Sequence, residues 1–167
     1  FPLQQLIVDS SPVLHHSLGL ESGLHLLGGP WPGFLLMCAG VGSPGTLREV
    51  VRGYTGDRSA AQIFDDEEWI EAFPLPRFRG GLFRRAGGDG FQRPFELATK
   101  RLRNMNEVLR HWRTYVPCDD YITQRGATVL LDADDSVIYS HRDQSLLGYS
   151  ATMHRPLAFL DVVLSHP

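Results

Sequence analysis

The chain has 167 residues, of which 43% are hydrophobic and 21% charged, and its formal net charge is −3 at pH 7. This length favours one domain with a buried core, and the small net charge gives no overall attraction to nucleic acid or an anionic membrane. No apolar run reaches about 18 residues, so we expect no membrane contact. Cys38 and Cys118 are too few for a disulfide framework, which favours an intracellular, cytoplasmic setting, with an organelle as the alternative.

The first predicted unit is a strand followed by a helix. Residues 4–9, "QQLIVD", form a short apolar run that is typical of a buried strand. Ser11 and Pro12 suit the cap and the first position of a helix that Gly19 would end. Phe1 opens the sequence in place of methionine, so we expect that a further N-terminal part precedes it.

The middle of the chain, residues 21–120, is predicted to be a long helical and loop insertion. Residues 23–45 would be irregular or hold one short helix. Thr46 and Glu49 have the spacing of a capping box, which predicts the start of another helix. Residues 73–94 are rich in glycine, proline and arginine, and this composition predicts a linker.

The strongest helix signal runs from Pro94 to Val116, before Pro117. Its apolar residues recur in alternating steps of four and three, so they share one face of a helix. The residues on this predicted apolar face are Ala98, Leu102, Met105, Leu109, Trp112 and Val116.

The C-terminal part predicts a hairpin and a final helix. Residues 127–131 and 136–140 form the two strands, and Asp132 to Asp135 make the turn between them. An amphipathic helix follows from Pro156. Three strands in all are fewer than a stable sheet prefers, which agrees with a missing N-terminal βαβ portion.

The triplet His141-Arg142-Asp143 also occurs in the catalytic loop of protein kinases. That loop needs an asparagine five residues after the aspartate to hold magnesium, and Gly148 stands there. The triplet therefore predicts only the charged end of a strand. The histidines and cysteines also lack the spacing of a zinc site, so we expect no metal and no cofactor.

Residues 77–93, "RFRGGLFRRAGGDGFQR", combine five arginines, three phenylalanines and one aspartate. Such a stretch can bind single-stranded nucleic acid by stacking and phosphate neutralisation. The preferred interpretation is a loop whose phenylalanines pack on the domain and whose arginines pair with the acidic residues 65–68. Nucleic acid is therefore not the expected partner.

Neither cysteine has the environment of an activated nucleophile. The neighbours of Cys38 are apolar, which raises the pKa of a thiol, and Asp119 and Asp120 disfavour a thiolate at Cys118. Both cysteines are therefore predicted to be structural.

Two stretches together resemble a known family. Residues 1–20, "FPLQQLIVDSSPVLHHSLGL", and residues 124–144, "QRGATVLLDADDSVIYSHRDQ", are similar to the peroxiredoxin-like, AhpC/TSA-type branch of the thioredoxin-fold superfamily. The resemblance implies an α/β fold with a thioredoxin-like sheet that is incomplete at the N-terminus. Residues 1–167 would form one partial domain, with residues 21–120 inserted between the first strand-helix unit and the C-terminal hairpin-helix.

The resemblance also implies a function. The family's reactive cysteine lies in a Pro-x-x-x-Thr-x-x-Cys or Cys-x-x-Cys segment, which this sequence lacks. The family position that does map here is Arg125, which would hold the reactive sulfur as a thiolate and orient the peroxide. The alternative for Arg125 is an ordinary charge at a strand edge.

We therefore expect the C-terminal part of a peroxiredoxin-like thiol antioxidant protein, inactive alone and served by a thioredoxin-type reductant. The alternative is a non-catalytic protein-interaction module on a degenerate thioredoxin-like fold. Such a module would hold a partner protein through the helix of residues 94–116 or the stretch of residues 77–93.

Overall fold

The computed structural model describes residues 11–20 and 22–164, which contain helices and short antiparallel strands. In chain order these elements are α1 (Val13–Ser17), α2 (Pro30–Cys38), α3 (Thr46–Thr55), β1 (Trp69–Ile70), β2 (Phe78–Arg79), α4 (Arg84–Gly87), α5 (Glu96–Arg110), α6 (Trp112–Tyr115), β3 (Ala127–Leu131), β4 (Val137–Arg142) and α7 (Asp161–Leu164). The mixture agrees with the predicted α/β class. No helix in this part of the chain is long and apolar enough to cross a membrane.

The strands form two separate two-stranded sheets within the described residues, β1 with β2 and β3 with β4. The second pair is the predicted hairpin, with Thr128 opposite His141. Its turn forms as expected, because Asp132 Oδ1 accepts hydrogen bonds from the amides of Asp134 and Ser136 at 2.9 and 2.8 Å. The strand predicted for residues 4–9 lies outside the described residues.

A hydrophobic core lies within residues 21–120, the segment that was predicted to be an insertion and is called the insertion below, and it is built by Phe64, Ile70 and Phe83. The rings of Phe64 and Phe83 stack with centroids 5.8 Å apart. Residues 73–94 were predicted to be a linker, and that prediction is wrong. They supply β2, α4 and a 3-10 turn at Gly80–Phe83. Phe83 is buried in the core, and this contact fixes the stretch to the domain.

A fully buried ion pair lies beside this core. Arg93 and Glu96 both have 0% exposure, and Nη2 of the guanidinium lies 2.6 Å from Oε1 of the carboxylate. Arg93 also donates to Asp66 at 2.6 Å and to the carbonyl of Phe64 at 2.8 Å. The amides of Arg93 and Ile63 donate to Glu96. Burial of these charges is tolerable because each is paired and hydrogen-bonded.

The helix predicted for residues 94–116 forms in two pieces, α5 and α6, divided at His111. There φ is −118° and ψ is 37°, outside the helical range. Its apolar face is only partly buried, since Met105 and Leu109 are 52% and 58% exposed. The buried part packs on α3, where Gly53 comes so close to Ala98 that a Cβ there would lie 3.5 Å from the Ala98 amide nitrogen.

Helix α3 begins at Thr46 as predicted, but no capping box forms. The cap residue is Gly45 with φ of 88°, and no side chain caps the helix. The carboxylate of Glu49 instead binds Arg52 at 2.7 Å and Arg101 at 3.3 Å. Two charge-assisted hydrogen bonds from guanidinium groups stabilise this buried carboxylate more than one bond from a backbone amide would.

The other predicted helices are also found, though some are shorter than expected. Helix α1 ends before Gly19, whose φ is 65°, and residues 23–45 hold the short helix α2. After Pro156 a 3-10 turn at Ala158–Leu160 leads into the four-residue α7 in place of one longer helix.

Candidate functional site

Arg125 lies directly before the start of β3, as its sequence position predicts. Its side chain is buried, and the residue is only 5% exposed. The guanidinium donates through Nη1 to the carbonyl of Gln144 and through Nη2 to the carbonyl of Gly42. It therefore joins the loop after α2 to the segment after β4.

Helix α1 supports Arg125 from the other side. His15 donates through Nε2 to the main-chain carbonyl of Arg125 at 2.7 Å. A Cβ built on Gly19 would lie 3.5 Å from the guanidinium of Arg142 in β4. The helix of the predicted first unit therefore lies against the predicted hairpin, although the two are more than 100 residues apart in sequence.

Asp143 lies immediately after β4, close to Arg125 and His141. Its Oδ1 is buried, has no hydrogen-bond partner within the described residues, and lies 3.6 Å from Nε2 of His141. Burial raises the pKa of Asp143, although the charges of His141 and Arg125 act in the opposite direction. We call His15, Arg125, His141 and Asp143 the Arg125 cluster. The kinase-like triplet is thus a strand end, as predicted.

Ser43 supports this cluster and was not identified from the sequence. Its hydroxyl lies 2.6 Å from that of Thr46, accepts a hydrogen bond from the amide of Leu146 at 3.0 Å, and lies 3.5 Å from Nη1 of Arg125. Serine and threonine three residues apart form too common a pattern to mark such a site. The contact becomes visible only when the hairpin folds back onto the start of α3.

The two cysteines are free thiols, and both are solvent-exposed. Burial of part of the side chain raises the pKa of Cys38, in the direction that its apolar neighbours predict. Their exposure differs from the structural role that was expected of them. The part of the chain that the structure describes contains no group of three or more metal-ligating side chains able to hold an ion.

The arginine-rich stretch of residues 77–93 is largely neutralised by carboxylates. The pairs are Arg77 with Glu71, Arg79 with Glu67, Arg84 with Asp66 and Asp89, and Arg93 with Asp66 and Glu96. Phe83 from the same stretch is in the core. The expected pairing with residues 65–68 is found for Arg79, Arg84 and Arg93, whereas the stretch holds β2 and α4 in place of the expected loop.

A comparison with protein-family models finds a match to the model described as AhpC/TSA antioxidant enzyme over residues 1–145. The chain belongs to this family. The match includes both stretches that carry the resemblance and the insertion between them, so the peroxiredoxin-like assignment is confirmed. Neither the curated proteins nor the solved structures compared with the chain give a match.

Within an AhpC/TSA family protein, the Arg125 cluster offers a fixed positive charge. A guanidinium stays protonated at physiological pH, and here backbone carbonyls fix its orientation. A cation held in this way can lower the pKa of a neighbouring thiol and can donate hydrogen bonds to a peroxide oxygen. His15 orients the main chain of Arg125, and Ser43 contacts its side chain.

Proposed function

We propose that the chain is the C-terminal part of a peroxiredoxin-like thiol antioxidant protein. The observation that carries the proposal is the match to the AhpC/TSA family together with a buried, oriented Arg125. In this proposal the reactive thiol comes from outside these 167 residues, since burial raises the pKa of Cys38 and acidic residues flank Cys118. A thioredoxin-type protein would serve as the reductant.

The chemistry is nucleophilic attack by a thiolate on a peroxide oxygen. The sulfur–oxygen bond forms as the oxygen–oxygen bond breaks, and the leaving oxygen takes a proton and departs as water or an alcohol. The cysteine becomes a sulfenic acid, which a second thiol then reduces through a disulfide. Arg125 would favour the thiolate and orient the peroxide.

The proposal includes a thioredoxin-like sheet to which β3 and β4 belong. Its support is the pattern of exposure, because Val129, Leu131 and Val137 are each about half or more exposed although they are apolar. A further layer packed on this face of the hairpin, supplied by the upstream segment, would cover these side chains.

Peroxide consumption tests the first part of the proposal. The 167-residue chain, mixed in catalytic amount with hydrogen peroxide and a thioredoxin-type reducing system, should give no turnover above the background rate. Turnover that disappears in Cys38→Ser or Cys118→Ser would contradict the proposal that neither cysteine is the reactive one. A Thr-x-x-Cys or Cys-x-x-Cys segment encoded before Phe1 would support it.

The role of Arg125 is tested in the polypeptide that carries the upstream segment. Arg125→Lys should slow peroxide reduction about 10²-fold or more, since a lysine cannot reproduce the two-armed geometry of a guanidinium. It should also raise the pH at which the reactive thiol is alkylated. Arg110→Lys, an exposed arginine of α5, is the matched control and should change neither measurement.

A non-catalytic interaction module remains the second candidate, and one observation favours it. An apolar groove of about 700 Å³ lies between α3, α5 and residues 75–86, and its lining includes Tyr54, Leu82 and Met105. This groove lies at the helix that the sequence indicates as the docking element. An apolar segment of a partner protein would fit it.

The groove is tested with a partner that has been identified by crosslinking to the whole chain. Met105→Asp should weaken its binding at least about tenfold, because a carboxylate would be buried in an apolar contact. Leu109→Asp alters an equally exposed leucine on the same helix outside the groove lining, and it should leave the affinity unchanged. Equal effects of the two variants would remove this candidate.

A further inference from the structure

A second cavity, separate from the apolar groove, has a polar lining. It is a solvent-open cleft of about 1170 Å³ between the start of α3, the end of β4 and residues 148–154. Three arginines, Arg48, Arg52 and Arg142, contribute to its lining, together with hydroxyl groups. The charge in the cleft therefore depends on which of these arginines are already neutralised.

Arg52 is neutralised by its neighbours. Its guanidinium pairs with Glu49 at 2.7 Å and with Asp57 at 3.4 Å. The hydrogen bonds of Arg52 also reach the side chain of Gln92 and the carbonyl of Met153. The two acidic side chains of the cleft lining are thus occupied by Arg52, and they are not available to the other two arginines.

Arg48 and Arg142 remain as uncommitted cations. Neither guanidinium makes a hydrogen bond or an ion pair with any residue that the structure describes, and both are exposed. They belong to different elements, Arg48 to α3 and Arg142 to β4, and both line the same cleft. Uncommitted cations on two elements of one cavity attract an anion that carries more than one charge.

The start of α3 adds to the positive electrostatic potential of the cleft. Gly45 caps the helix without a side chain, and the amides of Leu47 and Arg48 have no acceptor in the described part of the chain. Ser145 lies next to Gly45, with its hydroxyl 3.8 Å from the position that a Cβ would take. Free amides at a helix start favour negative charge, and a hydroxyl can donate to it.

We propose that this cleft binds a small organic or inorganic anion carrying at least two negative charges, held by Arg48 and Arg142. Phosphate groups and carboxylates both carry such charge, and a guanidinium binds either through paired N–H groups. Arg48 and Arg142 lie outside the Arg125 cluster, although His141 of that cluster also lines the cleft, and the proposal does not depend on peroxide chemistry.

Isothermal titration of the whole chain with pyrophosphate and with citrate tests the proposal. At least one of the two should bind saturably at one site per chain and lose affinity as sodium chloride is added, because exposed charges are screened. Binding of pyrophosphate alone identifies a phosphate site, and binding of citrate alone identifies a carboxylate site. Absence of saturable binding by both anions would overturn the proposal.

Matched variants locate the binding. Arg48→Gln and Arg142→Gln should each reduce affinity roughly fivefold or more, since each removes one charge-assisted contact. Arg110→Gln removes the same charge from an exposed position on α5 that does not line the cleft, and should leave affinity unchanged. An equal loss of affinity in all three variants would indicate a general effect of net charge and would contradict the proposal. Arg48→Lys, which keeps the charge, checks that any loss does not come from misfolding.

Discussion

Residues 57–99 bury Arg93 against the carboxylate of Glu96, whereas residues 42–46 and 125–146 together bury Arg125 against backbone carbonyls. In the first region the positive charge of Arg93 is neutralised by the carboxylates of Glu96 and Asp66. In the second region the guanidinium donates hydrogen bonds to two backbone carbonyls and to the hydroxyl of Ser43. The first arginine therefore stabilises one core, while the second joins segments that lie far apart in the sequence.

The two regions also differ in how they treat apolar side chains. Among the described residues, five of the six buried hydrophobic side chains lie between residues 60 and 83, namely Ala60, Phe64, Ile70, Ala72 and Phe83. The hairpin leaves its apolar residues exposed, for example Val137 at 62%. The insertion therefore supplies its own core.

The largest expected effect comes from opening the buried ion pair. Glu96→Ala should lower the free energy of unfolding by about 3–5 kcal/mol, because it leaves Arg93 without one of its carboxylate partners and removes the acceptor of several backbone amides. Urea denaturation followed by circular dichroism measures the loss. Lys100→Ala changes an exposed residue of the same helix and should cost less than about 0.5 kcal/mol. Equal losses would mean that the pair is not central to the insertion core.

A smaller loss is expected when the carbonyl-bound guanidinium is removed. Arg125→Met should cost about 2 kcal/mol in the same measurement, since the carbonyls of Gly42 and Gln144 lose charged donors. Arg125→Lys should fall between this variant and the wild type because a lysine can reach one carbonyl only. A cost as large as that of Glu96→Ala would contradict the contrast between the two regions.

A substitution at Asp143 is expected to raise the free energy of unfolding, whereas the two substitutions above lower it. Its pKa is raised in the folded protein, so its ionisation opposes folding: stability is greatest below the unfolded value of 3.8 and falls as the pH rises through the folded pKa. Asp143→Asn should therefore stabilise the protein at pH 7 and raise Tm. The gain should disappear near pH 3, and a gain independent of pH would rule out ionisation as its cause.

The smallest effect is expected on the hairpin surface. Val137→Thr should change the free energy of unfolding by less than about 0.5 kcal/mol if this exposed side chain stays in water. The measurement also tests the thioredoxin-like sheet. A loss of 1 kcal/mol or more would mean that this side chain is buried when the 167-residue chain is in solution.

The hairpin and most helices could be predicted because their signals are local. The turn at Asp132 depends on a side chain that accepts hydrogen bonds from amides two and four residues away. The helical period of α5 is visible in the spacing of its own apolar residues. The helix of residues 94–116 breaks at His111, where no proline or glycine marks the interruption. Local patterns thus gave the elements more reliably than their ends.

The insertion core and the surroundings of Arg125 could not be predicted because they depend on distant residues. Residues 73–94 have the composition of a linker, yet Phe83 is buried by Phe64, which lies outside the stretch. The family resemblance identified Arg125. Its bonding to Gly42 and Gln144 spans 83 and 19 residues, and carbonyl groups carry no signature in the sequence.

The bonds of Arg125 to Gly42 and Gln144 close a large loop that contains most of the insertion. The entropy of closing a flexible loop grows only with the logarithm of its length, so doubling the intervening chain would weaken this closure by about 0.6 kcal/mol. The free energy of this contact therefore depends little on the number of residues between Gly42 and Arg125. Extra residues added at an exposed turn of the insertion would therefore leave the geometry around the guanidinium intact.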